Sequence, residues 1–484
     1  MGFKEPDDFA RFLTIGAHAA SAISRDLEQN HGHRIIELER YARANKIWQV
    51  KVKRMRLPDL MCLRCGRRFE SKGKSALELK LSDSATPGRE WWAGGMRQDD
   101  VFGFVRVAVQ PNRVDVGQVV YVTREALHEA KDALVAGQRK SVADGSEIAV
   151  SWPSWTPTSG GIIDVLTDTE IVIEKSDGRR QTYRNHAKWP SQHPYLPQGA
   201  HFAAGDMVVS SVAPADVACA GDVWDWEADL ASPDTDDRFA AVKAARWLNR
   251  GSADDALRVL ALQSGADWRV AIEAAASLSP HEPSMVDVLL QHALSGAKEG
   301  APMEAVFVLT ELASNDAAEA LEQIAADVTL ASELRSAATW GLGLGAAGQP
   351  DRLIAFLDDH DDLVALHAGA VVPNPLTNWL KAELESWLTS TDLRRVASAA
   401  HLLARRGEIQ TLVTHAQSAA GDNKALIIRA LGDLERADVD PYLGGADHTT
   451  KSALWALWVR DVDWLRADDT DGGLEILEQQ SLVL

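Results

Sequence analysis

Cysteine is scarce in this chain of 484 residues, which contains only Cys62, Cys65 and Cys219. So few thiols exclude the disulfide framework that is typical of small secreted domains. No uninterrupted apolar run reaches the roughly 20 residues that cross a bilayer, and the N-terminus, MGFKEPDDFARF, does not read as a signal peptide. We therefore expect a cytoplasmic protein with no membrane partner.

Basic charge is also in short supply, because the formal net charge is −20. The first 100 residues are the exception: they hold 19 basic and 14 acidic residues, whereas the remainder holds 31 and 56. A locally basic surface on an acidic protein is typical of contact with a phosphate backbone. The candidate nucleic-acid residues are Lys51, Lys53, Arg54 and Arg56. The alternative is that these cations pair with the acidic remainder of the chain.

What is present is a set of acids and lysines between Pro58 and Lys80. Asp59 is followed by two Glu-x-Lys triplets, Glu70–Lys72 and Glu78–Lys80. Alternate residues of a strand share a face, so the glutamate and lysine of a triplet project together. Two carboxylates can hold Mg²⁺ or Mn²⁺, and a lysine can help to activate water or neutralise charge on a phosphate.

These residues resemble the PD-(D/E)xK nuclease superfamily of restriction-endonuclease-like and Holliday-junction-resolvase-like enzymes. The resemblance covers about the first 110 residues and implies an α/β fold that cleaves DNA with Mg²⁺ or Mn²⁺. It implies Asp59 as the first metal ligand, with either Glu78 and Lys80 or Glu70 and Lys72 as the second ligand and the lysine. It also matches Glu37, on a predicted N-terminal helix, to an extra acid near the metal. The alternative for Glu37 is a surface residue that pairs with Arg34 or Arg40.

The local pattern favours the later triplet, although both stay open. The segment SALELKLS reads as a buried central strand, with Leu77, Leu79 and Leu81 on the face opposite Glu78 and Lys80. The segment CGRRFESKGK is more polar and reads as the preceding strand running into a Lys-Gly turn.

The segment Cys62–Gly66 is one half of a zinc-knuckle pattern. A structural zinc site needs four ligands, and no second cysteine pair is present. His18, His31 and His33 could complete such a site. The interpretation we favour is a pair of reduced thiols that lie near each other on a strand or turn.

The rest of the chain changes character twice. Residues 121–145 read as a connecting helix, and 146–220 alternate short β runs with Gly, Pro and Asp turns, which predicts a small SH3-like or barrel-sandwich barrel. From 234 to 445, Ala-rich helices recur at a period near 30 residues and resemble HEAT-like repeats. Residues 446–484 form a predicted cap with an acidic tail. We expect the repeated arginines to bind acids of the adjacent repeat; they are Arg238, Arg269, Arg335 and Arg394.

The expected fold is therefore multidomain: an α/β restriction-endonuclease-like domain over 1–120, a small β barrel, and an all-α HEAT-like solenoid. We expect DNA at the N-terminal domain and a protein partner at the acidic solenoid. A nuclease joined to a recognition module would suit a defence or DNA-maintenance system. Two alternatives stay open. One is a non-catalytic DNA-binding adaptor or scaffold, and the other is an unrelated β-rich N-terminal module beside a solenoid that carries the function.

Overall fold

The computed structural model describes residues 6–38, 48, 55, 57–84, 96–110, 113–142, 145–184, 192–248, 253–263, 267–295, 298–345 and 348–459. The chain divides into two compact units, Met1–Ser277 and Leu278–Leu484. The first unit is rich in β-sheet and ends in helices, and the second is a run of helices. The chain is therefore a multidomain protein with an α/β part followed by a helical part.

The first unit is built on a five-stranded mixed sheet. In chain order, the described helix and strands up to Thr123 are α1 (Pro6–His31), β1 (Ile35–Glu37), β2 (Leu60–Cys62), β3 (Arg68–Lys74), β4 (Leu79–Ser84), β5 (Val101–Gln110) and β6 (Arg113–Thr123). The strand order is β1-β2-β3-β5-β6, so β3 is central and β4 belongs elsewhere. Strands β1, β2 and β3 pair antiparallel, whereas β3 and β5 pair parallel.

Helix α1 covers one face of this sheet. Its apolar residues recur every four positions, which gives the helix one buried stripe; they are Ile15, Ala19, Ile23 and Leu27. Phe69 of β3 lies in the same core, and a Cβ atom at Gly73 would come within 2.7 Å of the Ile15 side chain. Because side chains alternate along a strand, the odd-numbered positions of β3 face α1 and the even-numbered positions face away from it.

A second, three-stranded sheet packs on the other face. It has the order β4-β8-β7, with β7 at Val135–Val142 and β8 at Gly145–Trp152. Leu79 and Leu81 share a core with Phe102 and Phe104 of the first sheet.

The connecting helix predicted over 121–145 is largely wrong. Helix α2 spans only Arg124–Glu129, capped by the Thr123 hydroxyl, and one 3-10 segment follows at Ala130–Ala133. The remainder forms β7, which pairs antiparallel with β8. Pairing with a partner strand outweighs the helical preference of the local sequence.

The predicted small barrel is two open sheets in the described residues. The strands are β9 (Ser154–Trp155), β10 (Gly161–Leu166), β11 (Glu170–Lys175), β12 (Arg180–Arg184), β13 (His193–Pro194), β14 (His201–Phe202) and β15 (Val209–Ser210). The sheet orders are β12-β11-β10-β14 and β13-β15-β9, and the two sheets share one core. The expected β-rich segment is present, but closure into a barrel is wrong, because no hydrogen-bonded ladder joins the two sheets there.

Among the residues that the structure describes, four helices follow the sheets and begin the helical region: α3 (Trp226–Leu230), α4 (Thr235–Leu248), α5 (Asp254–Leu262) and α6 (Trp268–Leu278). Lys243 of α4 is buried and donates from Nζ to the Leu38 carbonyl at 3.0 Å. The first compact unit therefore continues to Ser277, whereas the sequence suggested a boundary at 234.

Helices fill the described part of the second unit. They are α7 (Ser284–Ser295), α8 (Ala301–Glu311), α9 (Asn315–Ala326), α10 (Ser332–Leu344), α11 (Asp362–Val371), α12 (Asn378–Trp387), α13 (Leu393–Arg405), α14 (Ile409–Ser418), α15 (Gly421–Gly432), α16 (Arg436–Val439) and α17 (His448–Val459). Side chains of Ser314, Thr377 and Asp392 cap three of them. This run is compatible with the predicted helical repeats. Among the described helices, none is both long enough and apolar enough to cross a membrane.

The repeated arginines follow the expectation in part. Arg335 binds Asp359 at 2.6 Å, and Arg394 binds Asp362 at 2.5 Å, so each reaches an acid near a neighbouring helix. Arg269 instead binds Asp267, two residues before it. Arg238 donates to the carbonyl of Ser232, three residues before its own helix begins.

Candidate functional site

Two carboxylates meet where β2 and β3 begin to separate. The β2–β3 register pairs Leu60 with Phe69, and its continuation sets Asp59 opposite Glu70. Facing residues of an antiparallel pair have Cβ atoms about 5 Å apart and project from the same side of the sheet. The backbone amide of Ser71 donates to Oδ2 of Asp59 at 2.8 Å. The main chain of β3 therefore holds the Asp59 carboxylate beside Glu70.

Lys72 completes this arrangement from the same strand. It lies two residues after Glu70, so both side chains leave the sheet on the side away from α1. Its ammonium forms a short ion pair with Oε1 of Glu70. The side chains of Glu70 and Lys72 are 20% and 29% exposed, which leaves them accessible from solvent. We call Asp59, Glu70 and Lys72 the acid–lysine cluster.

Burial and charge act together on the cluster. Burial raises the pKa of Glu70, and the neighbouring Asp59 carboxylate adds to this rise against the opposing effect of Lys72. Burial works to lower the pKa of Lys72, but the carboxylates of Glu70 and Asp59 outweigh it and leave that pKa raised. Lys72 is therefore a cation at neutral pH.

Lys80, of the pair that the sequence favoured, lies in β4 of a different sheet, and Glu78 comes two residues earlier, just before that strand begins. Their charged groups lie 3.6 Å apart, and their side chains are 47% and 44% exposed. Leu79 and Leu81 are buried as expected, so the predicted alternation is confirmed. The expectation of a central strand is wrong, because β4 is the edge of the β4-β8-β7 sheet. The sequence favoured Glu78 and Lys80 because their strand was expected at the centre of a sheet, and the edge position of β4 removes that reason.

Glu37 lies on a strand instead of the predicted helix. Residues Ile35–Glu37 form β1, which pairs antiparallel with β2. Ile35 packs in the core under α1, and Glu37, two residues on, shares that face. Asp59 and Glu70 project from the opposite face. The structure therefore does not bring Glu37 to the acid–lysine cluster.

The predicted nucleic-acid residues cannot be placed against the cluster. Lys51, Lys53, Arg54 and Arg56 lie outside the described residues. Their contact with a phosphate backbone stays a prediction.

A second group of side chains, three thiols and one imidazole, was predicted only in part from the sequence. Cys62 and Cys65, expected as a pair of thiols, are joined by Cys219 and His33. The available signals were the knuckle at Cys62–Gly66 and the nearby His33. Cys219 is 157 residues from Cys62, and no local pattern links the two.

The donor set of the acid–lysine cluster fits a hard divalent cation. Asp59 and Glu70 offer carboxylate oxygens, which Mg²⁺ prefers. A carboxylate has about four lone-pair sites, so the bonds from the Ser71 amide and Lys72 leave acceptor capacity for a cation. No family model matches the chain, and the search of curated proteins finds no match.

Proposed function

We propose that the protein is a metal-dependent nuclease of PD-(D/E)xK type that hydrolyses phosphodiester bonds in DNA. The observation that carries this proposal is the acid–lysine cluster. Asp59 and Glu70 face each other at the end of the β2–β3 pairing, with Lys72 on the same face. The central position of β3, antiparallel to β2 and parallel to β5, supports the same assignment.

The residues of the cluster have distinct roles in this proposal. Asp59 and Glu70 would hold Mg²⁺ or Mn²⁺, which when bound supplies a polarising charge next to the scissile phosphate. Lys72 is charged, so it serves to neutralise the negative charge that develops on the phosphate oxygens. Its pairing with Glu70 also fixes the direction of the ammonium group.

Partners follow from the distribution of charge. DNA binds the sheet-rich unit, whose first 100 residues carry the basic excess. The helical unit lies in the acidic remainder of the chain, which favours a protein over bare nucleic acid as its partner. A nuclease with such a recognition module suits a defence or DNA-maintenance system.

The two triplets provide a matched test. Purified protein is incubated with DNA in Mg²⁺, in Mn²⁺ or without a divalent cation, and Glu70→Gln is compared with Glu78→Gln. We expect cleavage only with the metal, loss of cleavage by two or more orders of magnitude in Glu70→Gln, and near wild-type rates in Glu78→Gln. Cleavage by Glu70→Gln at the wild-type rate would refute the assignment. If the wild-type protein binds DNA but leaves it intact in either metal, the chain is the non-catalytic adaptor instead.

A further inference from the structure

Four metal-binding side chains converge at the end of β2 opposite to Asp59. Atoms of His33, Cys62, Cys65 and Cys219 that could bind a metal all lie within 4.8 Å of one another. The Sγ atoms of Cys62 and Cys219 are 4.0 Å apart, and Cys65 Sγ lies 3.7 Å from Nδ1 of His33. We call this set the Cys3His cluster.

These distances match tetrahedral zinc. Zn–S bonds of about 2.3 Å and Zn–N bonds of about 2.0–2.1 Å set sulfur atoms about 3.8 Å apart and sulfur about 3.6 Å from nitrogen. A disulfide would need about 2.05 Å between sulfur atoms. All three cysteines are free thiols, so a shared cation accounts for their convergence better than a covalent bond does.

His33 is oriented as a metal ligand. Its Nε2 lies 2.7 Å from the Val217 carbonyl oxygen, and because a carbonyl only accepts, Nε2 carries the hydrogen. The lone pair of the neutral ring is then on Nδ1, the atom that faces Cys65. A carbonyl partner on the other ring nitrogen is the usual way in which proteins fix the tautomer of a zinc-binding histidine. The side chain is buried, so this orientation is held.

The turn between Cys62 and Gly66 has the geometry of a metal knuckle. The amide of Arg64 donates to Cys62 Sγ at 3.3 Å, which stabilises negative charge on that sulfur. Gly66 has a φ of +73° and its amide returns to the Cys62 carbonyl at 2.9 Å. A Cβ atom at Gly66 would lie 2.4 Å from Cδ1 of Trp224, so both the backbone and the space require glycine.

We propose that His33, Cys62, Cys65 and Cys219 form a structural zinc site. The protein supplies all four ligands, which leaves no position for a substrate and makes the role structural. The ion would fasten three segments: the loop after α1, the β2 turn and the stretch that leads from β15 to α3. This inference rests on the cluster alone and is independent of the proposed nuclease activity.

Metal content is the first test. Protein purified in reducing buffer without chelator is analysed for metals by plasma mass spectrometry. We expect one zinc per chain, near-complete loss of zinc in Cys219→Ser and in His33→Ala, and full retention in the matched control His31→Ala. His31 lies two residues from His33 and pairs with Asp26, outside the cluster. Zinc retained by Cys219→Ser, stoichiometric iron instead of zinc, or protein that stays metal-free after refolding with zinc would each overturn the proposal.

A second measurement works on the wild-type chain and does not depend on the variants folding. Refolding with Co²⁺ in place of zinc should give thiolate-to-metal charge-transfer absorption and the intense visible bands of a tetrahedral site. Titration of the zinc protein with a thiol-modifying reagent should release one zinc as the three cysteines react, followed with a colorimetric zinc indicator. Cysteines that react at once without releasing metal, or a disulfide found in the freshly purified reduced protein, would contradict the site.

Discussion

The backbone amide of Ser71 donates to Oδ2 of Asp59 at 2.8 Å, and this bond holds the Asp59 carboxylate close enough to act on Glu70. The peptide next to Glu70 therefore positions Asp59, independently of the Glu70 side chain. Replacing Glu70 by glutamine removes a charge but leaves this amide in place. Variants of this kind test the chemistry of the cluster with little disturbance of the strand that carries it.

Lys72 and Lys80 provide a matched pair of lysines. In the proposed mechanism the Lys72 ammonium neutralises negative charge on the phosphate. Lys72→Gln removes this ammonium, so the single-turnover rate of DNA cleavage should fall by about 10²–10³-fold. Lys80→Gln changes a half-exposed residue of the other sheet and should leave the rate nearly unchanged. Equal losses in the two variants would mean that both lysines act only through general DNA binding.

Metal affinity should depend on pH through Glu70. Burial raises the pKa of this carboxyl group, so a proton competes with the cation at a higher pH than for an exposed glutamate. We expect Mn²⁺ binding, measured by electron paramagnetic resonance, to weaken as pH falls, and to do so at a higher pH than competition from an exposed glutamate would produce.

Glu70→Gln should bind Mn²⁺ more weakly at every pH and with a flatter dependence, because the titrating group is gone. A variant with the wild-type pH dependence would assign the competing proton to another residue.

Asp100 should make the stability of the sheet-rich unit fall as pH rises. It is buried at the start of β5, and this burial raises its pKa to about 7 against the opposing charge of Arg68. An unfolded aspartate titrates near 3.9, so between about pH 4 and pH 7 the native state binds one proton more. The free energy of unfolding should then decrease by up to about 1.4 kcal/mol per pH unit from this group.

In the wild type the Arg97 amide donates to Oδ2 of Asp100 at 2.7 Å. The asparagine of Asp100→Asn keeps an oxygen that can accept this hydrogen bond, but its side chain does not titrate. In chemical denaturation at about pH 5 and pH 8, the variant should therefore lose less stability on going to the higher pH than the wild type does. Parallel curves for Asp100→Asn and wild type would exclude Asp100 as the source.

The ion pair between Arg68 and Asp237 joins β3 to α4 and should be strongly coupled to stability. Arg68 is 1% exposed and its Nη2 lies 2.6 Å from Asp237, which also binds Arg97 at 2.9 Å. Asp237→Asn leaves a buried guanidinium without its carboxylate, which should cost about 3 kcal/mol of unfolding free energy. The control Asp255→Asn, in an exposed pair with Arg258, should cost little. Similar losses for both would show that Arg68 finds another counter-charge.

The boundary at Ser277 predicts how fragments behave. A fragment starting at Leu278 should be helical by circular dichroism and stay monomeric, because the compact unit begins there. A fragment starting at 234 carries α4 without the sheet-rich unit, so the buried Lys243 and its neighbours become exposed. We expect that longer fragment to aggregate. Substantial β signal from the shorter one would contradict the helical assignment.

Local patterns predicted the character of some segments. The alternation of Leu77, Leu79 and Leu81 identified the buried side of β4 and of the residues just before it, and the Ala-rich periodicity identified the helical region. Alternation is a property of neighbouring residues, so a short stretch of sequence is enough to reveal it. The Pro-Asp and Glu-x-Lys residues likewise marked Asp59, Glu70 and Lys72 as candidates.

Pairing between distant segments could not be read from the sequence in the same way. Which strand lies beside β2 depends on long-range pairing, in which β3 joins β5 and β4 joins β8, and a local pattern does not contain this information. The helix predicted after Thr123 gave way to a strand for the same reason. Cys219 has no local signal at all, because only the folded chain brings it to Cys62.

Cys219 and Asp237 are synthesised long after the residues that they contact, which has a consequence for folding on the ribosome. Arg68 and Cys62 belong to the first strands to emerge, but their partners are made 169 and 157 residues later. Domains generally fold as units while translation proceeds at about 5–20 residues per second. Roughly ten to thirty seconds therefore pass between the synthesis of these strands and the synthesis of their partners. During this time the Arg68 guanidinium lacks Asp237, and Cys62 lacks Cys219. A chain that terminates before Cys219 contains neither partner, so Cys62 and Arg68 both stay without these contacts.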